Sequence, residues 1–217
     1  MLVLALDTST PAVVVGIIDT DQESPLAERF VINPRGHGEL LTPLIQEIVA
    51  EAGLTMSRLD AVVCGTGPGP FTSLRVGMVT GASIADALGK PVYPVCSLDA
   101  IGVAAAEVDD LLVITDARRK ELYWARYHRG VRVAGPAVGK PEDVRVPGVV
   151  LAGHVASLYA EPWELPDRGI EYPTTATLVA AAGDALLTGA EPGEMVPLYL
   201  RKPDAVEPGA RKSVIQA

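Results

Sequence analysis

The chain has 217 residues, of which 48% are hydrophobic and 21% are charged. This composition excludes a disordered protein and is typical of one large globular domain or two small lobes. The net charge of −9 argues against a protein that grips nucleic acid by itself, because such proteins carry a basic surface. No apolar run is long enough to span a bilayer, and the start MLVLALD is too short for a signal peptide. We therefore expect a cytoplasmic protein without membrane contact.

The first quarter of the sequence predicts three strands and an amphipathic helix. Residues 2–18 contain two β-rich runs around a turn at 8–11, and a third strand is predicted at 26–32. Between residues 39 and 52 the apolar positions recur at i, i+1, i+4 and i+5, which predicts a helix with one apolar stripe. That stripe includes Leu40, Leu41, Leu44, Ile45 and Ile48.

A glycine-rich loop follows the next predicted strand, at 60–65, and opens a helix at 71–88. Glycines such as Gly67 and Gly69 allow close backbone approach, and a helix N-terminus favours anions. However, the loop lacks the spacing G-x-x-x-x-G-K-S/T, and its two prolines remove amide donors. A phosphate site and a rigid loop that orients the helix therefore both stay open. A strand at 92–95 and a helical stretch at 97–106 continue the alternation, which implies a sheet with crossover helices.

The helix predicted at 71–88 is nearly uncharged, since it carries only Arg75 and Asp86. A helix that is apolar almost all round must be covered on more than one side. Its second neighbour is either the 39–52 helix of the same lobe or another protein. We expect the two helices together to present an apolar patch to a partner.

The second half of the sequence has the outline of the first. Residues 111–127 form an apolar strand, a polar turn and another strand, as residues 2–18 do, with Asp116 in the place of Asp7. The weak identity between the halves leaves an internal duplication open at this point. The pattern predicts an N-terminal lobe at 1–106 that carries the docking helices, a C-terminal lobe at 107–200 and a flexible tail at 201–217.

The candidates for chemistry are few. A turn of four polar residues ends the first strand: Asp7, Thr8, Ser9 and Thr10. Such a turn either offers ligands to a phosphate and a metal or satisfies its own amides. Three histidines are scattered along the chain: His37, His128 and His154. Since no H-x-x-x-H or H-E-x-x-H pair occurs, these residues do not predict a metal site.

Five segments together resemble the TsaB (YeaZ) family: LALDTSTPAVVVGIID at 4–19, HGELLTPLI at 37–45, GTGPGPFTSLRVG at 65–77, PVYPVCSLDAIG at 91–102 and ITDARRKELYWARY at 114–127. The signature G-P-G-x-F-T-x-L-R-x-G is specific, and residues 67–77 carry it. Pro70 and Ser73 depart from the serine and glycine that family members often have there. The resemblance is strong over residues 1–130 and looser beyond.

The resemblance implies an α/β, two-lobed actin/Hsp70-like (ASKHA, ribonuclease H-like) fold with duplicated βββαβα lobes, the second one reduced. It also implies a non-catalytic subunit required for N6-threonylcarbamoyladenosine formation at tRNA position 37. Such a subunit binds and activates TsaD, helps to recruit the ATPase TsaE, pairs with itself and reaches tRNA only through the complex. No intrinsic cofactor or metal is expected, because Ser97 and Ile101 stand where TsaD has a metal-binding histidine pair. A nucleotide at the interface of the complex stays an open alternative.

Two sets of site residues follow from the predicted elements and the resemblance. The predicted partner interface comprises His37, Leu40, Leu41, Leu44, Ile45, Ile48, Phe71, Leu74, Arg75 and Met78. The predicted vestigial nucleotide cleft comprises Asp7, Thr8, Ser9, Thr10, Gly67, Gly69 and Asp116. The rival functions are an ASKHA-type nucleotide-dependent phosphotransferase, motivated by the 7–10 turn and Asp116, and a metallopeptidase-like protein, which the missing histidine pair disfavours.

Overall fold

The computed structural model describes residues 1–22 and 24–201. Its first sheet has the strand order β3-β2-β1-β4-β5, in which β1 to β3 are antiparallel and β4 and β5 run parallel to β1. The strands are β1 (Leu2–Asp7), β2 (Ala12–Asp19), β3 (Ala27–Ile32), β4 (Ala61–Gly65) and β5 (Val92–Val95). The predicted strands of the first half are therefore present.

Three helices follow strands of this sheet: α1 (His37–Glu51), α2 (Phe71–Leu88) and α3 (Ser97–Val103). A short 3-10 turn at Met56–Arg58 precedes β4. Helix α2 has the predicted bounds and ends at Gly89, whose φ of 62° suits a residue without Cβ. Pro43 lies inside α1 rather than in its first turn, and it is exposed, so that the carbonyl left without a helical partner can bond to water.

The second sheet has the order β8-β7-β6-β9, with β9 parallel to β6. Its strands are β6 (Leu111–Asp116), β7 (Leu122–His128), β8 (Val131–Gly139) and β9 (Val150–Ala152). This order repeats β3-β2-β1-β4, and within the described residues no strand takes the place of β5. The remaining helices are α4 (Pro141–Val144), α5 (Ala156–Trp163) and α6 (Thr175–Leu187). The duplicated, two-lobed ribonuclease H-like fold with a reduced second lobe is therefore confirmed.

Both faces of the first sheet are buried. On β1, Leu4 and Leu6 pack towards α1 and α2, whereas Val3 and Ala5 pack towards α6. This division follows from the two-residue period of a strand. A strand covered on both faces reads as a continuous apolar run, and LVLAL is such a run.

Two helices cross between the sheets. Helix α3 packs on the second sheet, where Leu98 and Ile101 contact the cluster around Tyr127. Helix α6 packs on the first sheet through Leu178 and Leu186. The predicted boundary at 106/107 lies between α3 and β6, and the packing of α3 and α6 runs across it. The predicted flexible tail lies outside the described residues apart from Arg201. Within the described part of the chain, no helix is long and apolar enough to cross a membrane.

Candidate functional site

The turn after β1 holds a carboxylate that is bonded within the chain. Asp7 is fully buried, and its Oδ1 accepts from the backbone N–H of Ser9 at 2.9 Å and from the Ser9 hydroxyl at 2.8 Å. Its Oδ2 accepts from the hydroxyl of Ser97. Burial raises the pKa of Asp7, and these hydrogen bonds oppose the rise. Both carboxylate oxygens of Asp7 are therefore engaged in hydrogen bonds within the chain.

The glycine-rich loop packs directly on this turn. A Cβ added at Gly65 would lie 1.8 Å from Oδ2 of Asp7, and one added at Gly69 would lie 2.2 Å from the carbonyl oxygen of Ser9. Neither distance is compatible with a side chain. Gly69 is therefore required for contact between two backbone segments, and Gly65 leaves room for the Asp7 carboxylate, which favours the rigid-loop interpretation.

The other turn residues are bonded to the two helices. The Thr8 hydroxyl donates to the carbonyl of Ser73 at 2.6 Å and accepts from the Gly77 amide at 3.1 Å, both on α2. His37, at the start of α1, bonds through Nε2 to the carbonyl of Thr10 at 2.9 Å. The structure thus brings residues 7–10 and the glycine-rich loop together in a buried cluster.

A cavity of about 460 Å³ lies between the lobes, next to this cluster. Its lining includes Ser9, Thr10, Ser73, Asp116, Arg118 and His154. Asp116 faces the cavity from the second lobe, so the structure places it across from the 7–10 turn. Its Oδ1 accepts from the Arg118 amide at 2.8 Å, and its Oδ2 lies 3.5 Å from the guanidinium of the same residue.

His154 is a cavity residue that sequence reasoning treated as scattered. Its Nε2 accepts from the Asp116 amide at 3.4 Å, and its ring stacks on Tyr172 with the centroids 5.7 Å apart. Burial lowers the pKa of His154 to about 4, so the ring is neutral at pH 7. The internal repeat could have indicated this position, because His154 follows β9 in the second lobe where the glycine-rich loop follows β4 in the first. Among the described residues, no group of three His, Cys, Asp or Glu side chains is placed to hold a metal ion.

Most predicted interface residues belong to the core of the first lobe. Seven of them are at most 7% exposed: His37, Leu41, Leu44, Ile45, Ile48, Leu74 and Met78. Leu40 is half-buried, and only Phe71 and Arg75 are exposed. Except for Ile45, which also lines a groove on the outward side of the two helices, the prediction therefore named mainly their inward face. Its physical reason is that the apolar stripe of an amphipathic helix packs on its own sheet first.

The outward side of α1 and α2 forms a groove of about 640 Å³. Its lining is mostly apolar and includes Val49, Leu54, Met56, Val79 and Ile84. Val79 is 63% exposed, although it lies in the middle of α2. This groove is the surface of the two helices that a partner could contact.

An exposed aromatic–arginine cluster lies at the N-terminal end of α2. The Arg75 guanidinium carbon lies 3.9 Å above the Phe71 ring, and its Nε donates to the Tyr199 hydroxyl at 2.6 Å. The two aromatic rings stack with their centroids 5.1 Å apart. Arginine and tyrosine are enriched among the residues that dominate binding energy at protein interfaces. Sequence reasoning missed Tyr199, because it lies 124 residues from Arg75.

Comparison with known proteins points to one family. The profile described as "TsaD: tRNA N6-adenosine threonylcarbamoyltransferase" matches residues 31–157. An uncharacterized protein of Mycobacterium leprae is 52% identical over 206 residues, which cover 94% of this chain and 56% of that protein. The chain thus spans little more than half the length of that relative. The "tRNA threonylcarbamoyladenosine biosynthesis protein TsaB" of Escherichia coli K12 is 30% identical over 91% of this chain and 85% of its own length.

A solved structure agrees with this result. The solved structure of "YeaZ from Pseudomonas aeruginosa" superposes with a TM-score of 0.78 and 28% identity, covering 92% of this chain and 99% of that one.

Proposed function

This chain belongs to the TsaB (YeaZ) family, and we propose that it takes part in forming N6-threonylcarbamoyladenosine in tRNA. More specifically, we propose that the chain is a non-catalytic subunit that binds and activates TsaD and helps to recruit TsaE. The name of the Escherichia coli relative and the family profile over residues 31–157 support the first statement. The second is supported by the outward groove of α1 and α2 and by the buried 7–10 turn.

The outward groove of α1 and α2 is the observation that carries the proposal. An exposed apolar groove beside an aromatic–arginine cluster has the composition of a protein-binding surface. The match to the TsaD profile includes both helices. A TsaD partner therefore has counterparts of α1 and α2, and two such helix pairs can pack against each other in a pseudo-twofold manner. The same surface serves the proposed pairing of two copies.

The burial and internal hydrogen bonding of the 7–10 turn support a non-catalytic role. A phosphate- or metal-binding turn needs free amides and carboxylate oxygens. Here Asp7 accepts from Ser9 and Ser97, and all four residues of the turn are at most 4% exposed. The surface is net acidic, so we propose that tRNA is reached through the partner. These roles agree with the expected cytoplasmic location.

A nucleotide-dependent phosphotransferase is the second candidate. The cavity between the lobes favours it, because hydroxyl groups from the first lobe and Arg118 from the second line one space. The closed turn beside the cavity argues against it, since no carboxylate of residues 7–10 faces that space unbonded.

Replacement of Val79 by aspartate tests the docking surface. Val79 is 63% exposed, so V79D leaves the core intact, but it places a charge in the groove. An unpaired charge buried in an apolar interface is expected to cost at least about 2 kcal/mol, so we expect at least ~30-fold weaker binding to the TsaD of the same organism. Calorimetry and a tRNA modification assay would measure the effect.

The matched control is Val133→Asp on β8. Val133 is 58% exposed but lies in the second lobe, away from the groove. We expect V133D to bind and to support tRNA modification as the wild type does. Wild-type affinity of V79D would show that the partner binds elsewhere.

A further inference from the structure

The chain returns to the first lobe after α6 and then crosses to the second. Residues 190–201, here called the C-terminal strap, contain no helix or strand. The Tyr93 hydroxyl donates to the carbonyl of Ala190 at 3.1 Å, and the Leu198 amide donates to the carbonyl of Thr66 at 2.9 Å. Between these points Met195 packs on the core of the first lobe. The strap is thus attached to the first lobe along most of its length.

The end of the strap contacts both lobes within three residues. The Tyr199 ring stacks on Phe71 of α2 in the first lobe. Arg201 donates from Nη1 to the carbonyl of Ala117 at 3.2 Å, and its Nε lies 3.3 Å from the Glu121 carboxylate, both in the second lobe. The Arg201 side chain is 20% exposed and that of Glu121 is 33% exposed, so water screens this ion pair less than a fully exposed one.

Arg201 binds both ends of an unusual turn between β6 and β7. Three consecutive residues of this turn have positive φ: Arg118 at 67°, Arg119 at 50° and Lys120 at 63°. This conformation is unfavourable for residues with a Cβ. It is closed by bonds from the Ala117 amide to the Glu121 carbonyl and from the Glu121 amide to the Arg118 carbonyl, each 3.0 Å. The turn also places Arg118 at the cavity between the lobes.

We propose that the C-terminal strap is a latch that holds the two lobes at a fixed separation, with Arg201 as its catch on the β6–β7 turn. The lobes are also joined by the packing of α3 and α6. Phe30 of β3 also contacts Tyr172, whose ring stacks on His154. The strap adds a separate connection at the β6–β7 turn, and connections on different sides restrict a hinge motion that a single one would permit. Release of Arg201 widens the cavity by rotation about the α3–α6 contact. This inference does not depend on the proposed function, because it concerns the isolated chain.

Distances between spin labels in the two lobes test the latch. Ser57 in the first lobe and Ser157 on α5 in the second are exposed, and each would be replaced by cysteine to carry a label. Cys64 is fully buried and would not take the label, whereas Cys96 is only partly buried and would be replaced by serine in every labelled variant. Electron–electron double resonance on Arg201→Ala is expected to show a broader and longer distance distribution than on the parent protein.

The matched control is Arg129→Ala. Arg129 pairs with Asp109 at 2.6 Å inside the second lobe, so its removal breaks an ion pair without touching the strap. R129A is expected to keep the parent distribution. An unchanged distribution in R201A, or an equal change in both variants, would overturn the proposal.

Two further measurements keep the result independent of the labels. Loss of a charged hydrogen bond at the end of the strap is expected to speed hydrogen exchange of the Leu198 amide about tenfold in R201A. Glu121→Gln removes the charge on the other side of the ion pair and is expected to change exchange and distances in the same direction, by less. A parent-like exchange rate in both variants would also contradict the latch.

Discussion

Substitution of Gly69 distinguishes between two interpretations of the glycine-rich loop, close packing within the chain and ligand binding. In Gly69→Ala the new Cβ would lie 2.2 Å from the Ser9 carbonyl oxygen and 2.9 Å from the Ser9 Cα. Because these are backbone atoms of a buried turn, neither can move aside cheaply. Overpacking of this kind costs about 1–3 kcal/mol. For a chain of this size, each kcal/mol lowers Tm by about 2–4 °C, so a cost of about 2 kcal/mol predicts a fall of about 4–8 °C.

Gly38→Ala is the control for this change. Gly38 lies in the first turn of α1, and the nearest atom to an added Cβ is Val76 Cγ2 at 3.9 Å, an ordinary contact. Alanine in a helix is up to about 1 kcal/mol more favourable than glycine, so G38A is expected to melt at or above the wild-type Tm. Differential scanning calorimetry measures both variants. A wild-type Tm for G69A would refute the packing argument and return the loop to the candidate ligand sites.

Two further predictions concern the cavity. The pKa of His154 is about 4 in the folded protein, whereas its ordinary value is 6.5. Between these two pH values the folded state therefore binds fewer protons than the unfolded state. Because of this difference, the free energy of unfolding falls as the pH drops from 6.5 to about 4. Urea denaturation at about pH 7 and about pH 4.5 is expected to show a smaller loss for His154→Gln than for the wild type, and equal losses would contradict this assignment. Calorimetry with ATP and magnesium on the isolated chain is expected to show no stoichiometric heat, because Asp7 is bonded to Ser9 and Ser97. Stoichiometric binding with ATP turnover would favour the phosphotransferase.

The local elements of the first lobe were predictable because their signals are local. Apolar runs of four to six residues identified β1, β2 and β4, since a strand buried on both faces has no polar alternation. Helix α2 was predicted with the bounds Phe71–Leu88, because Gly89 and Pro91 mark its end. The signature at 67–77 identified the family, and the comparisons confirmed it.

The exposed face of the helices could not be predicted in the same way. A 3.6-residue period locates an apolar stripe, but the stripe that packs on the chain's own sheet and the stripe that meets a partner have the same chemistry. Leu41 and Met78 were therefore assigned to the surface although they are 1% and 6% exposed. The outward groove around Val79 becomes visible only when α1 and α2 are placed side by side.

The contacts that join distant parts of the chain had no local signal at all. Arg75 and Tyr199 are 124 residues apart, and Arg201 and Ala117 are 84 residues apart. Periodicity and turn chemistry describe neighbours within a few positions, whereas these pairs form because α6 crosses to the first sheet and directs the strap back over α2. The residues thus specify strands, helices and family membership through local patterns. The cavity, the docking groove and the strap arise from the packing of elements that are far apart in the chain.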